Sequence, residues 1–129
     1  MKKHSRQYLV VKDDLDELDH VNNLRYIEWV QSIAKEHWLQ EANADIRARY
    51  FWILTEHHIQ YKKPACLNDN LWLETFVTNS SGASSERMVE IFNADTKQLL
   101  VVSKTTWCLM EVRTQKPSRM TDEIAKLFV

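Results

Sequence analysis

The hydrophobic period of this chain changes once, and that change limits what it can fold into. Tyr26, Ile27, Val30, Ile33, Ala34, His37 and Trp38 recur at the three-and-four spacing of one helical face, while Arg25, Glu28, Ser32, Lys35, Glu36 and Gln40 fall on the other. The spacing predicts an amphipathic helix of roughly five turns that becomes helical at Tyr26. Beyond it the period falls to two. The runs 53–61, 71–78, 86–93 and 99–112 are rich in β-branched and aromatic residues, with Leu71, Leu73, Thr75 and Val77 alternating onto one face. A short apolar run, Tyr8-Leu9-Val10-Val11, precedes the helix and reads as a first strand, being too short for a signal-peptide core or a membrane span. One strand, one long helix and four more strands give an α+β chain, an antiparallel sheet of about five strands with a single helix to cover one face.

Two local features refine that picture. The cluster Asn79-Ser80-Ser81-Gly82-Ala83-Ser84-Ser85 holds the only glycine and lies between two strand-like runs, so it reads as a hairpin connection. The last strand carries Leu99-Leu100-Val101-Val102 and then Trp107, Leu109 and Met110. It is too apolar on both faces for an open edge, and a second sheet or a second subunit should cover part of it.

At 129 residues the chain reads as a single domain over 1–129, with a modest core. Its 17 basic and 18 acidic residues leave a formal net charge of −1, which argues against nucleic acid or a membrane surface as a partner. Cys66 and Cys108 stand far apart with no CxxC and no histidine-rich partner spacing, which argues against a disulfide framework or a zinc site. They read as reduced, buried thiols of a cytoplasmic protein.

The candidate chemistry sits just ahead of the helix. Asp14-Leu15-Asp16-Glu17-Leu18-Asp19-His20-Val21-Asn22-Asn23 places carboxylates, an imidazole and two helix-starting amides within one short turn. A carboxylate can activate water, and free N–H groups at a helix start can hold a developing oxyanion. The helix dipole would favour Asp16 and any anionic intermediate at the same place. On residue types alone, Asp and Asn before a helix are equally ordinary capping residues, and the histidine a solvated loop residue.

The run from Asp16 through His20-Val21-Asn22-Asn23 to Tyr26 and Trp29 resembles the active-site motif of hotdog-fold acyl thioesterases. It is most similar to the plant acyl-ACP thioesterases and the small bacterial acyl-CoA thioesterases of the 4-hydroxybenzoyl-CoA type. The likeness extends to Ile59-Gln60-Tyr61-Lys62-Lys63-Pro64-Ala65-Cys66-Leu67-Asn68-Asp69, similar to a strand leading into a Pro-containing turn and an Asp. It also reaches Lys116-Pro117-Ser118-Arg119-Met120-Thr121, similar to the closing segment before a short terminal helix. Two positions depart from the pattern. Asp19 stands where bacterial members commonly carry glycine, and Asp is one of the few other residues that tolerate a left-handed backbone. Leu18 stands where the plant enzymes carry a further Asn, so no role for that amide transfers.

The resemblance implies a hotdog fold, a sheet wrapped around one long helix, and hydrolysis of acyl-CoA or acyl-ACP without cofactor or metal. A thioester leaves as a thiolate about as basic as a cysteine side chain, roughly pKa 8.5, so strong protonation of the leaving group is unnecessary. By resemblance Asp16 is general base toward water or nucleophile forming a mixed anhydride, and His20 orients the water or the carboxylate. The backbone N–H of Asn23 polarises the thioester carbonyl, with Asn22 as the cap. The resemblance also implies a homodimer or homotetramer, with sites at the subunit interface.

Other residues carry weaker readings. Tyr26, Lys62 and Lys63 are candidates for substrate binding, although an aromatic residue on this helix is equally a core residue. Lys62, Lys63, Arg87, Arg113, Lys116 and Arg119 are basic groups suited to coenzyme A phosphates, or simply solvated charges at strand ends. Asp14 reads as an exposed loop carboxylate. His57 and His58 are adjacent on a strand, point to opposite faces and cannot share a metal. A non-catalytic module binding acyl-CoA or lipid is the rival function, and it would keep the pocket but not depend on Asp16.

Overall fold

A cap fixes where the long helix begins. In the computed structural model, which describes residues 1–129, Asn22 is extended (φ −61°, ψ 133°) and its side-chain oxygen accepts the Leu24 N–H at 3.0 Å. Helix α1 then runs Asn23–Glu41. It starts ahead of the expected Tyr26 because periodicity becomes visible only where a residue reaches the core, whereas the cap acts at the terminus itself. The helix ends at Ala42, and Asn43 caps a second short helix, α2 (Ala44–Arg49), by accepting the Ile46 N–H at 2.9 Å. Six residues are too few to show a period, and this helix was not anticipated.

The strands are β1 (His4–Leu9), β2 (Tyr50–Tyr61), β3 (Asn70–Ser81), β4 (Ser84–Asn93), β5 (Leu99–Glu111) and the two-residue β6 (Lys116–Pro117), followed by helix α3 (Asp122–Ala125). All pairs are antiparallel, in the order β1-β3-β4-β5-β2, with β6 added to the end of β5. The first strand lies earlier than Tyr8–Val11. Its inward positions are His4, Arg6 and Tyr8, which disguise the alternation in a hydropathy reading. Gly82 (φ +61°) and Ala83 turn β3 into β4, and a residue with a Cβ at Gly82 would meet open space but a strained backbone.

The sheet curls around α1, the hotdog arrangement expected from the sequence. Tyr26, Trp29, Val30 and Ile33 of α1 pack on Leu71, Leu73, Val89, Ile91 and Val101 of the sheet. Each large side chain fully buried there contributes roughly 1.5–3 kcal/mol, and Ile33→Ala would cost about 2–5 kcal/mol. A smaller cluster, Ala42, Ile46, Leu109 and Ile124, sits under α2 and α3.

One expectation is refined here and two are corrected. The apolar β5 is no open edge, since β4 and β2 flank it; the sheet ends in β1 on one side and β2 on the other, and β2 exposes Ile53 and Tyr61. Cys66 is exposed and Cys108 half-buried, because Cys66 follows the Pro64 turn and Cys108 points to the outer side of the sheet. Arg87 is no solvated strand-end charge: it lies within β4 and is 5% exposed. No helix is long and apolar enough to cross a membrane.

Candidate active site

The stretch from Leu15 to Asn22 folds back on itself largely through main-chain bonds. Leu15 bridges Val21, the Asp16 N–H donates to the His20 carbonyl at 2.8 Å, and the Asp19 N–H donates to the Asp16 carbonyl at 3.1 Å. This closure needs a left-handed residue, and Asp19 takes that role with φ +61°. Aspartate therefore serves where a glycine is common in the resembling bacterial enzymes. The loop is also tied to the chain after β2. His20 bridges Cys66, and the Val21 N–H donates to the Ala65 carbonyl at 3.0 Å.

Asp16 is held from one side only. Its Oδ1 accepts the Leu18 N–H at 2.8 Å and the His20 N–H at 3.2 Å, while Oδ2 has no partner in the protein. Asn22 caps α1 as expected, which makes Asn23 the first helical residue. Its N–H has no acceptor, since the first-turn donors of a helix point ahead of it. A free carboxylate oxygen and a free helix-start N–H thus belong to one short loop.

The facing wall comes from the end of β2 and the turn after it. The backbone N–H groups of Lys62 and Lys63 both donate to the Leu100 carbonyl, at 2.8 and 3.2 Å, and their exposed side chains are unpaired. The Tyr26 hydroxyl accepts the Ala65 N–H at 3.0 Å and so fastens this wall to α1. Burial pushes the Tyr26 phenol up, so it keeps its proton and still has a donor to offer. Asp16, His20, Asn23, Tyr26, Lys62 and Lys63 line a single pocket of about 270 Å³. Val21, Tyr61 and Pro64 complete its lining, and of the basic residues considered for coenzyme A only Lys62 and Lys63 reach it.

Not every reading of the surroundings holds. Asp14 is a buried carboxylate, 4% exposed, rather than an exposed one. The Tyr8 hydroxyl lies 3.0 and 3.2 Å from its two oxygens, the Val11 N–H donates at 2.9 Å, and Arg25 Nε stands at 3.3 Å. Its backbone carbonyl accepts the Asn22 N–H at 2.8 Å, so it anchors the loop from behind. The sequence offered no sign of this, since the partner Tyr8 lies on another element. The His20 ring makes no hydrogen bond to a protein group, and its tie to Asp16 runs through the main chain. Trp29 is core, as its helical position allowed. His57 is half-buried with Nε2 2.8 Å from Ser103 Oγ, and His58 is exposed on the opposite face. Arg113, Lys116 and Arg119 are exposed and do not line the pocket.

Residues 10–128 match the thioesterase-like superfamily. The chain belongs to that superfamily. Solved structures of similar fold include a 1,4-dihydroxy-2-naphthoyl-CoA thioesterase from Synechocystis, 17% identical over 98% of this chain and 96% of that one, with a TM-score of 0.84. The probable thioesterase YbaW from Escherichia coli is 21% identical over 95% of this chain and 94% of its own, also at 0.84. The 12:0-ACP thioesterase from Umbellularia californica is 16% identical, covering 98% of this chain and 51% of that one, again at 0.84. No curated protein sequence matches the chain. Within the thioesterase-like superfamily, then, this member presents a loop carboxylate and a helix-start amide in one pocket.

Proposed function

We propose that the chain, acting as a single domain over 1–129, hydrolyses acyl-CoA thioesters to a free acid and a thiol. The observation that carries this is the meeting of Asp16, His20, Asn23, Tyr26, Lys62 and Lys63 around one pocket. Asp16 Oδ2, free of protein partners, takes a proton from water as the water oxygen adds to the thioester carbonyl carbon, or adds to that carbon itself. The Asn23 N–H, reinforced by the positive end of α1, holds the oxygen that gains charge. The C–S bond then breaks, and the thiolate leaves with little need for a general acid; on the second route water then cleaves the mixed anhydride, releasing the acid and restoring the Asp16 carboxylate. His20, at the exposed rim, orders the water, and Lys62 and Lys63 stand where the phosphates of a coenzyme A carrier would be met.

Support for a coenzyme A carrier comes from this pair of free lysines beside the pocket; an acyl-ACP, with its phosphopantetheine arm, is the competing carrier. The deciding experiment follows free thiol released from a panel of acyl-CoAs beside an acyl-ACP. Release from acyl-CoA that depends on Asp16 is the expected result. Saturable binding of acyl-CoA with no thiol release would replace the enzyme with a binding module.

A further inference from the structure

A second and larger cavity, of about 580 Å³, opens between α1 and strands β2, β4 and β5. Its walls are aromatic, with Trp38, Trp52, Trp107 and Phe128 among them, and Arg87 and Ser85 of β4 lie in its lining. It shares no residue with the pocket that holds Asp16. Its size and its apolar walls with few polar groups are those of a small-molecule site.

Arg87 is the unusual member. It is 5% exposed, and its guanidinium lies 4.9 Å above the Phe128 ring. Nη1 donates to His37 Nδ1 at 2.9 Å and to Thr75 Oγ1 at 3.0 Å, two neutral acceptors. No carboxylate pairs with Arg87: Glu28 is engaged with Arg25, Glu36 with Arg6, Glu41 with Lys2, Glu74 with Lys3 and Glu86 with Lys104, and Glu56, Glu90 and Glu111 of the sheet form no ion pair with it. The Nε and Nη2 edge of the fork has no acceptor in the protein. Burial pulls Arg87 down to about 10, still charged at neutral pH. Burial and the adjacent guanidinium pull His37 down to about 4, so it stays neutral and gives Arg87 no counter-charge. A buried cation with no counter-ion is costly to maintain, and a fork with one edge left over is shaped for a carboxylate.

The register sets its distance from the reaction centre. Tyr61, on the wall of the Asp16 pocket, pairs with Val101, and Val101 pairs with Ile91 of β4. Arg87 lies four residues farther along β4, roughly 13 Å at the rise of a strand, and two strands across from Tyr61, so about 16 Å away in all. A ligand group held by Arg87 is therefore remote from a thioester at Asn23. We propose that Arg87 recognises a carboxylate at the far end of the acyl group, so that the cavity selects acyl thioesters ending in a second acid, aliphatic or aromatic in body. A carboxylate fits better than a phosphate, because a single guanidinium matches one negative charge and the other cation of the lining, Lys35, is exposed at the helix surface.

The placement at the acyl end rests on the thioesterase reading, whereas the anion site itself does not. The test therefore separates binding from turnover. Octanoate and octanamide are titrated against the intact protein by calorimetry and by the fluorescence of the cavity tryptophans, with inorganic phosphate as competitor. Octanoate should bind about tenfold to a hundredfold tighter than octanamide, and phosphate should compete poorly. Arg87→Met should remove the discrimination, with Arg87→Lys keeping part of it. If Arg87→Met does not fold, the wild-type ligand pair and Arg87→Lys decide alone. In turnover, suberoyl-CoA should exceed octanoyl-CoA in kcat/KM by about tenfold or more. Equal binding of octanoate and octanamide, binding of neither, or equal displacement by phosphate overturns the carboxylate site even if octanoyl-CoA is hydrolysed. Discrimination in binding without any thioester hydrolysis keeps the site and removes the thioesterase reading. Discrimination in binding together with equal turnover of the two thioesters overturns the placement at the acyl end.

Discussion

Asp16 and His20 meet through the main chain: the His20 N–H donates to Asp16 Oδ1 at 3.2 Å, while the imidazole itself bonds to no protein group. The histidine thus shapes the carboxylate with its backbone, whatever its ring does. His20→Ala keeps the N–H and removes the ring, so it isolates the ring's chemistry. Turnover of acyl-CoA should fall about tenfold to a hundredfold with the thermal midpoint unchanged. Parental turnover would reduce His20 to a scaffold residue.

Asp14 and Asp16 should separate stability from activity. Asp16→Asn keeps an oxygen for the Leu18 and His20 N–H groups but loses the charge, so turnover should drop about a hundredfold or more at nearly unchanged stability. Asp14→Ala leaves the Val11 N–H and the Tyr8 hydroxyl without their acceptor, while Arg25 keeps Asp13 and Glu28, and should cost about 1–3 kcal/mol in denaturant unfolding. Below its melting range that variant should retain most of its turnover. Equal turnover of parent and Asp16→Asn would move the reaction centre elsewhere.

His37 predicts a pH dependence of stability. Its folded value is lowered to about 4, by burial first and then by Arg87 and His4, against an ordinary 6.5. Between those values the unfolded chain binds the extra proton. Stability is therefore complete above about pH 6.5 and is lost as pH falls toward 4, by about 3 kcal/mol from this group. His37→Gln, which can still accept from Arg87, should show a flatter profile in that window when unfolding is followed at several pH values. An unchanged slope would assign the acid sensitivity to the carboxylates instead.

The β2 edge predicts assembly. It is a strand of 12 residues paired on one side only, with Ile53 43% exposed. Such an edge is a template for another strand, and a homodimer joined there, alone or doubled into a tetramer, is the expected state. Ile53→Lys should shift the mass toward a monomer in light scattering without lowering the helix and strand content. A monomeric parent at micromolar concentration would rule out the dimer.

Much of this was legible in the sequence because it is local. The period of α1, the β runs, the Gly82 turn and the Asn22 cap depend on neighbours within a few residues, and all appear in the expected order, with α1, β2 and β4 beginning two or three residues earlier than their periods indicate. What escaped depends on contacts between distant elements. Asp14 is buried because Tyr8 and Arg25 reach it from β1 and α1, and Arg87 is buried because α1 and Phe128 cover the middle of β4. A charged residue gives no periodic signal of its own burial. The first strand was misplaced for a related reason: its inward side chains are His4, Arg6 and Tyr8, so its buried face does not read as apolar.

The Tyr26 hydroxyl, bonded to the Ala65 N–H, joins the helix to the turn that carries Lys62 and Lys63. The loop bearing Asp16 is joined to that same turn by the Val21 and His20 backbone. The residues proposed to grip the carrier and the residue proposed to attack the carbonyl are thus fastened to one turn. On the proposed reading, exchange of the exposed lysine side chains would change the carrier without moving Asp16, because the ties run through the Val21 and His20 backbone and the Tyr26 hydroxyl.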